Sequence, residues 1–72
     1  MPPRLTWKDS EDLALLLFER FPDLDPLTVR FTDLHTWVCE IPEFGDDAKA
    51  STEGKLEAIQ MAWSQEWKDN QD

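Results

Sequence analysis

Apolar residues recur at helical spacing near the start of the chain. The positions at i, i+3, i+4 and i+8 are Leu13, Leu16, Leu17 and Phe21. This spacing places them on one side of an α-helix. Asp9 or Ser10 can cap that helix, because both side chains accept hydrogen bonds from the free N–H groups of a first turn. Pro22 ends it, since proline has no N–H to donate.

Two later stretches repeat the helical pattern. The central one follows a possible cap at Thr32, stops at Pro42, and contains Leu34, Trp37, Val38 and Ile41. The last one follows Ser51 or Thr52 and contains Leu56, Ile59, Ala62, Trp63 and Trp67. Each stretch predicts a helix with one buried side. The chain is therefore expected to contain three helices.

The connections between these helices contain turn-forming residues. Asp25 followed by Pro26 predicts a cap and the first position of one or two helical turns. The acidic segment PEFGDDAKA, residues 42–50, predicts a loop or short wing in which Phe44 packs back onto the core and Gly45 permits the bend. Residues 68–72 form a polar tail. We predict a mainly α, small single-domain helical bundle over 1–72, with an ordered core at about 7–67.

The composition suits a small protein of a reducing compartment. With 72 residues the core is limited, and four Trp and four Phe residues can fill it. Cys39 is the only cysteine, so this chain alone can form neither a disulfide nor a four-thiolate metal site. The apolar run from Leu13 to Phe18 is too short to span a bilayer and follows acids rather than bases. We expect a soluble, cytoplasmic protein with no membrane partner.

The charge balance limits the possible partners. Sixteen acidic residues against seven Lys and Arg give a net charge of −9. Such a surface repels nucleic acids and anionic lipids, and attracts basic protein surfaces or metal ions. The alternative is that acidity only keeps a small protein in solution.

His35 and Cys39 lie four positions apart, on a flank of the central helix beyond its apolar stripe. A nucleophilic cysteine needs a base, an orienting group and oxyanion donors, and the sequence indicates no such set. A structural zinc site needs four ligands, whereas this pair supplies two. We therefore expect no enzyme here. His35 is expected to cap or pack, and Cys39 to be a small, half-buried residue.

The acidic residues are better metal candidates than this pair, because ferrous iron accepts carboxylate oxygens. Three groups of acids are close in sequence: Asp23 with Asp25, Asp33 with Glu40, and Glu43 with Asp46 and Asp47. Their spacing does not match a calcium-binding loop. We expect weak, unselective binding of ferrous iron, and the alternative is that these acids are only solvated charges.

The stretch PDLDPLTVRFTDLHTWVCEI, with FGDD and LEAIQMAW after it, resembles the IscX family of small acidic proteins in bacterial iron-sulfur cluster assembly. The similarity runs from about Trp7 to Trp67. It implies a helical fold resembling a modified winged helix, a scaffold that often binds DNA through its third helix. In this chain the corresponding helix is the central one, because the helical turn at Asp25 and Pro26 counts as the second. It carries Asp33 and Glu40 and no Lys or Arg, which disfavours the alternative of a nucleic-acid-binding regulator.

The resemblance also implies partners and a function. Members of this family bind the cysteine desulfurase of the assembly system and hold iron weakly through acidic residues, as adaptors or as regulators beside bacterial frataxin. The seven acids grouped above fall in the matching segments. Gly45 and Ala48 stand where the family is often more acidic, so iron capacity there is expected to be lower. The predicted partner-binding residues are Asp25, Arg30, Asp33, His35, Trp37 and Glu40.

Overall fold

Three α-helices account for most of residues 4–71, which are the part of the chain that the computed structural model describes. They are α1, Ser10–Arg20; α2, Phe31–Glu40; and α3, Glu53–Asp69. Short 3-10 helices at Pro26–Thr28 and Ala48–Ala50 lie in the two connections. The predicted mainly α helical bundle is confirmed. Residues 1–3 and Asp72, which the predicted domain and tail include, lie outside the described residues.

The predicted helix starts are confirmed at α3 and at the first 3-10 helix. The Thr52 hydroxyl accepts a hydrogen bond from the Lys55 N–H at 3.2 Å, and the Asp25 carboxylate accepts one from the Leu27 N–H at 3.0 Å. Asp9 occupies the cap position of α1, but its carboxylate accepts from the Thr6 N–H at 2.8 Å instead of from the helix.

The predicted cap of α2 at Thr32 is wrong. The helix begins at Phe31, and Arg30 occupies the cap position without a side-chain hydrogen bond to the first turn. The Leu34 N–H donates to the Arg30 carbonyl at 2.9 Å, so the first turn closes two residues earlier than predicted. This earlier start brings the Phe31 ring against the buried core.

The buried residues lie mainly on the predicted helix sides. α1 packs along α3, and α2 contacts both of these helices. The apolar core consists of Trp7, Leu13, Ala14, Leu17, Val29, Leu34, Val38, Ile41, Phe44, Leu56, Ile59 and Trp63. Ala14 was not predicted there. Its small side chain lies at the packed α1 surface and is fully buried.

The acidic segment 42–50 is a loop that returns to the N-terminal segment. The Leu5 N–H donates to the Glu43 carbonyl and the Gly45 N–H donates to the Leu5 carbonyl, both at 2.9 Å. They form an isolated parallel bridge between Leu5 and Phe44 rather than a wing of strands. The predicted packing of Phe44 onto the core is confirmed, since 8% of it is exposed.

The predicted role of Gly45 needs correction. Its φ is not positive, so the turn does not require a glycine for its backbone conformation. The Arg4 side chain instead crosses over Gly45, and a Cβ atom there would lie 2.5 Å from the Arg4 Cβ. Gly45 is therefore needed for close approach of two chain segments.

Trp7 joins the N-terminal segment to α2 and to the acidic loop. Its indole Nε1–H donates to the Asp47 carbonyl at 2.7 Å, and its backbone N–H donates to the Asp46 carboxylate at 3.2 Å. The ring stacks on His35 with centroids 5.2 Å apart and meets the edge of Phe44 at 4.8 Å. One buried side chain thus connects the N-terminal segment, the acidic loop and the His35 flank of α2.

We predict that Trp7→Phe lowers the free energy of unfolding by about 2 kcal/mol, because it removes ring volume and a satisfied hydrogen bond together. Trp63→Phe is the matched control. Trp63 is also fully buried, but its Nε1–H has no hydrogen-bond partner among residues 4–71, so only volume is lost. Urea unfolding measures both variants, and equal losses would contradict the role of the Trp7 hydrogen bond.

Candidate functional site

α2 presents an acidic surface on the side opposite to its core contacts. Leu34 and Val38 are fully buried, whereas Asp33, Thr36 and Glu40 are exposed. Asp33 and Glu40 are seven residues apart, so they share one side of the helix about 10 Å apart along its axis. The helix contains no Lys or Arg. The outer side of α2 therefore carries two separate negative charges without a compensating base on the same helix.

His35 is held by two contacts on a flank of α2. Its Nε2 lies 2.7 Å from the Ala48 carbonyl oxygen. Because a carbonyl only accepts, Nε2 carries a hydrogen and donates it. The ring also stacks on Trp7. The structure thus gives His35 the packing role that the sequence predicted.

Cys39 is half-buried beside His35, with its Sγ atom 3.9 Å from the histidine Nδ1. Burial raises the pKa of the Cys39 thiol, and the negative charge of the neighbouring Glu40 raises it further. The thiolate is the form that attacks electrophiles and binds metals. A raised pKa therefore makes Cys39 a poor nucleophile and a poor ligand at neutral pH.

Three of the predicted metal residues accept hydrogen bonds from backbone N–H groups. Asp25 caps the 3-10 helix at Pro26–Thr28, and Asp47 accepts a hydrogen bond from the Lys49 N–H at 2.9 Å. The Asp46 carboxylate accepts from the Asp47 N–H at 2.7 Å and from the Trp7 N–H. These two hydrogen bonds, in that order, lower the pKa of Asp46, with smaller contributions from the Lys55 and Lys8 charges. All three side chains thus stabilise loop structure.

The other predicted metal residues, Asp23, Asp33, Glu40 and Glu43, are exposed and make no side-chain hydrogen bond within residues 4–71. In that same part of the chain, no three His, Cys, Asp or Glu side chains come together as a set that could hold a metal ion. Acids that are close in sequence therefore do not converge into a built metal centre. Each presents its oxygens separately to solvent.

The predicted partner-binding residues divide into two classes. Arg30, Asp33 and Glu40 are exposed. Trp37 is half-buried and packs its ring 4.6 Å from Phe21 and 6.3 Å from Trp63, measured between centroids. His35 and Asp25 also make contacts within the fold. Arg30, Asp33 and Glu40 are therefore the members of this set whose side chains lie mostly in solvent.

An apolar groove beside α2 was not predicted from the sequence. It has a volume of about 300 Å³, is open to solvent, and is lined by Phe31, Thr32, His35 and Leu56. The prediction missed it because a cap at Thr32 would have placed Phe31 outside the helix. With Phe31 inside α2, the spacing of Phe31 and His35 puts both rings on one flank.

Asp46→Asn is expected to lower the urea midpoint of unfolding at pH 7, because the amide cannot accept both backbone hydrogen bonds. The pKa of Asp46 is lowered in the folded chain. Its carboxylate therefore stabilises the fold above about pH 4, and this contribution is lost as the pH falls through the lowered value. The difference between wild type and variant should narrow at acid pH. Asp23→Asn, at an exposed acid without such bonds, should change little, and a difference independent of pH would contradict the assignment.

The length of the helices and comparison with known proteins narrow the class of protein. Among the described residues, none of the helices is both long enough and apolar enough to cross a bilayer. A family model described as iron-sulphur cluster assembly matches residues 5–68. A protein of Pseudomonas aeruginosa named uncharacterized protein PA3808 is 50% identical over 62 residues, which cover 86% of this chain and 94% of that protein. The chain therefore belongs to the iron-sulphur cluster assembly family, the IscX family.

Proposed function

We propose that this protein is a non-enzymatic adaptor of iron-sulfur cluster assembly in the cytoplasm. It docks on the cysteine desulfurase of the system through the outer side of α2 and holds ferrous iron weakly at exposed carboxylates. Membership of the family supports a role in cluster assembly. The observation that carries the docking is the exposure of Asp33 and Glu40 on one side of a helix that has no base.

Docking by these charges follows from the electrostatics of association. A net charge of −9 on a 72-residue chain attracts a basic surface over distances of about the Debye length, 8 to 10 Å at ordinary salt. Charges arranged on a rigid helix then fix the register of the encounter. We propose that bacterial frataxin and this chain compete for one basic surface of the desulfurase.

The same surface argues against a nucleic-acid-binding regulator. DNA-binding helices place Lys and Arg against phosphates, and each neutralised phosphate adds affinity through released counterions. α2 instead exposes Asp33 and Glu40. Contact with a duplex would bring like charges together, so a basic protein surface is the better partner.

We predict that the double variant Asp33→Asn/Glu40→Gln binds the desulfurase about tenfold more weakly at low salt, because two complementary charges near the interface are lost. Glu19→Gln/Glu57→Gln is the control, since it removes two exposed charges from α1 and α3. Isothermal titration calorimetry at several salt concentrations measures both. The wild-type affinity should fall as salt rises.

Two results would overturn this docking surface. The first is an equal loss of affinity in both double variants, which would mean that total charge acts without a defined site. The second is an affinity that does not change with salt, since exposed charge pairs are screened by added ions. Circular dichroism of each variant checks that α2 is retained.

The iron proposal rests on those four of the seven predicted metal residues that are exposed and make no side-chain hydrogen bond within residues 4–71, namely Asp23, Asp33, Glu40 and Glu43. A hard or borderline cation accepts such oxygens, and water completes its coordination shell when few protein ligands are near. Because no set of three donors is built within residues 4–71, binding is expected to be weak and exchangeable. Weak binding suits a protein that passes iron to a partner.

We predict that neutralising these four acids to Asn or Gln weakens ferrous iron binding more than neutralising Glu11, Asp12, Glu19 and Glu57, which are exposed on α1 and α3. Both sets remove four charges. Anaerobic NMR titration with ferrous iron measures the affinity and locates the broadened resonances. An equal effect of the two sets would show that iron follows overall charge, and the proposed sites would be wrong.

A further inference from the structure

The apolar groove beside α2 lies between the first turn of α2 and the α3 turn that carries Leu56. Phe31, Thr32 and His35 line one wall, and Leu56 lines the other. Phe31 and His35 are half-buried and Thr32 is exposed, so a side chain can reach the groove from solvent. Its volume of about 300 Å³ is at the low end of binding pockets and suits one large side chain.

This groove is continuous with the acidic side of α2. At 100° per residue, the helix surface from His35 through Thr32 and Thr36 to Glu40 and Asp33 spans about 160°. Thr32 and Thr36 are both exposed, and they form the surface between the groove and the acids. A partner surface that covers the arc from Thr32 across Thr36 to Glu40 would contact the edge of the groove and the acidic side together.

The acidic side alone is a weak source of affinity. Exposed ion pairs contribute at most about 1 kcal/mol each, and their main effects are on association rate and register. Interfaces gain most of their affinity from a few apolar or aromatic side chains seated in pockets. A partner attracted to Asp33 and Glu40 therefore needs an apolar anchor close to them, and the groove provides a place for one.

We infer that this groove receives an aliphatic or aromatic side chain of the same basic protein surface that meets Asp33 and Glu40. The inference rests on the docking proposed above and adds the chemistry of the partner. Arg30 is exposed in the cap position next to Phe31, so a base rather than an acid precedes the first turn of α2. The partner is therefore expected to present its Lys or Arg residues toward Glu40 and Asp33, and its apolar anchor toward Phe31.

Thr32→Arg and Ala58→Arg test the inference with the desulfurase as the partner. Both variants add one positive charge to an exposed helix position, but Ala58 lies on the side of α3 opposite to Leu56, so only the stem of an Arg at 32 can cover the groove. In 1 M salt the Debye length is about 3 Å, so differences due to charge are suppressed. There, wild type and Ala58→Arg should bind alike, and Thr32→Arg should bind about tenfold more weakly.

Methyl NMR in 1 M salt gives a second measurement that needs no variant. The Leu56 methyl resonances should shift when the desulfurase is added, whereas those of Leu15, which is 44% exposed on α1, should not. Unshifted Leu56 resonances, or equal weakening by the two Arg variants, would overturn the inference.

The outcomes separate this inference from the proposed docking. If wild type binds at low salt and not in 1 M salt, docking by charge stands and the apolar anchor is wrong. If the desulfurase does not bind at any salt concentration, the proposed docking and the groove inference both fail. An affinity that falls as salt rises but persists in 1 M salt, where only Thr32→Arg weakens it, supports both.

Discussion

The stacking and hydrogen bonding of Trp7 organise this small fold. A chain of this length buries a limited fraction of its surface, so a single large ring that reaches several segments has a disproportionate effect. Trp7 packs on His35 and Phe44 and donates to the Asp47 carbonyl. The acidic loop and the flank of α2 are thereby held in one arrangement.

The acids of this chain fall into two groups with different physical roles. Asp25, Asp46 and Asp47 accept hydrogen bonds from backbone N–H groups, and these bonds stabilise the connections between the helices. Asp33 and Glu40 make no such bonds within residues 4–71 and remain in water. The first group therefore stabilises loop backbone, whereas the second presents its oxygens to solvent within the described part of the chain.

The sequence predicted the helices and most of the core because amphipathic spacing and proline stops act locally. It placed Leu34 and Val38 in the core, since their burial follows from the helix wheel. The contacts that hold His35 come from Trp7 and Ala48, which are distant in the sequence. It missed the start of α2, because the Leu34 to Arg30 hydrogen bond competes with capping by Thr32. The groove was not predicted either, because that error placed Phe31 outside the helix. The role of Asp46 depends on Trp7, 39 positions away in the chain, which local patterns do not indicate.

The half-buried thiol of Cys39 has a consequence for a member of an iron-sulphur cluster assembly family. Transfer of sulfane sulfur between proteins requires an attacking thiolate, and its rate falls with the fraction of that form. Burial and Glu40 keep Cys39 protonated at neutral pH, since both raise its pKa. The Cys39 thiol is therefore less available as an attacking thiolate than an ordinary exposed cysteine, so its expected rate of disulfide or persulfide exchange is lower.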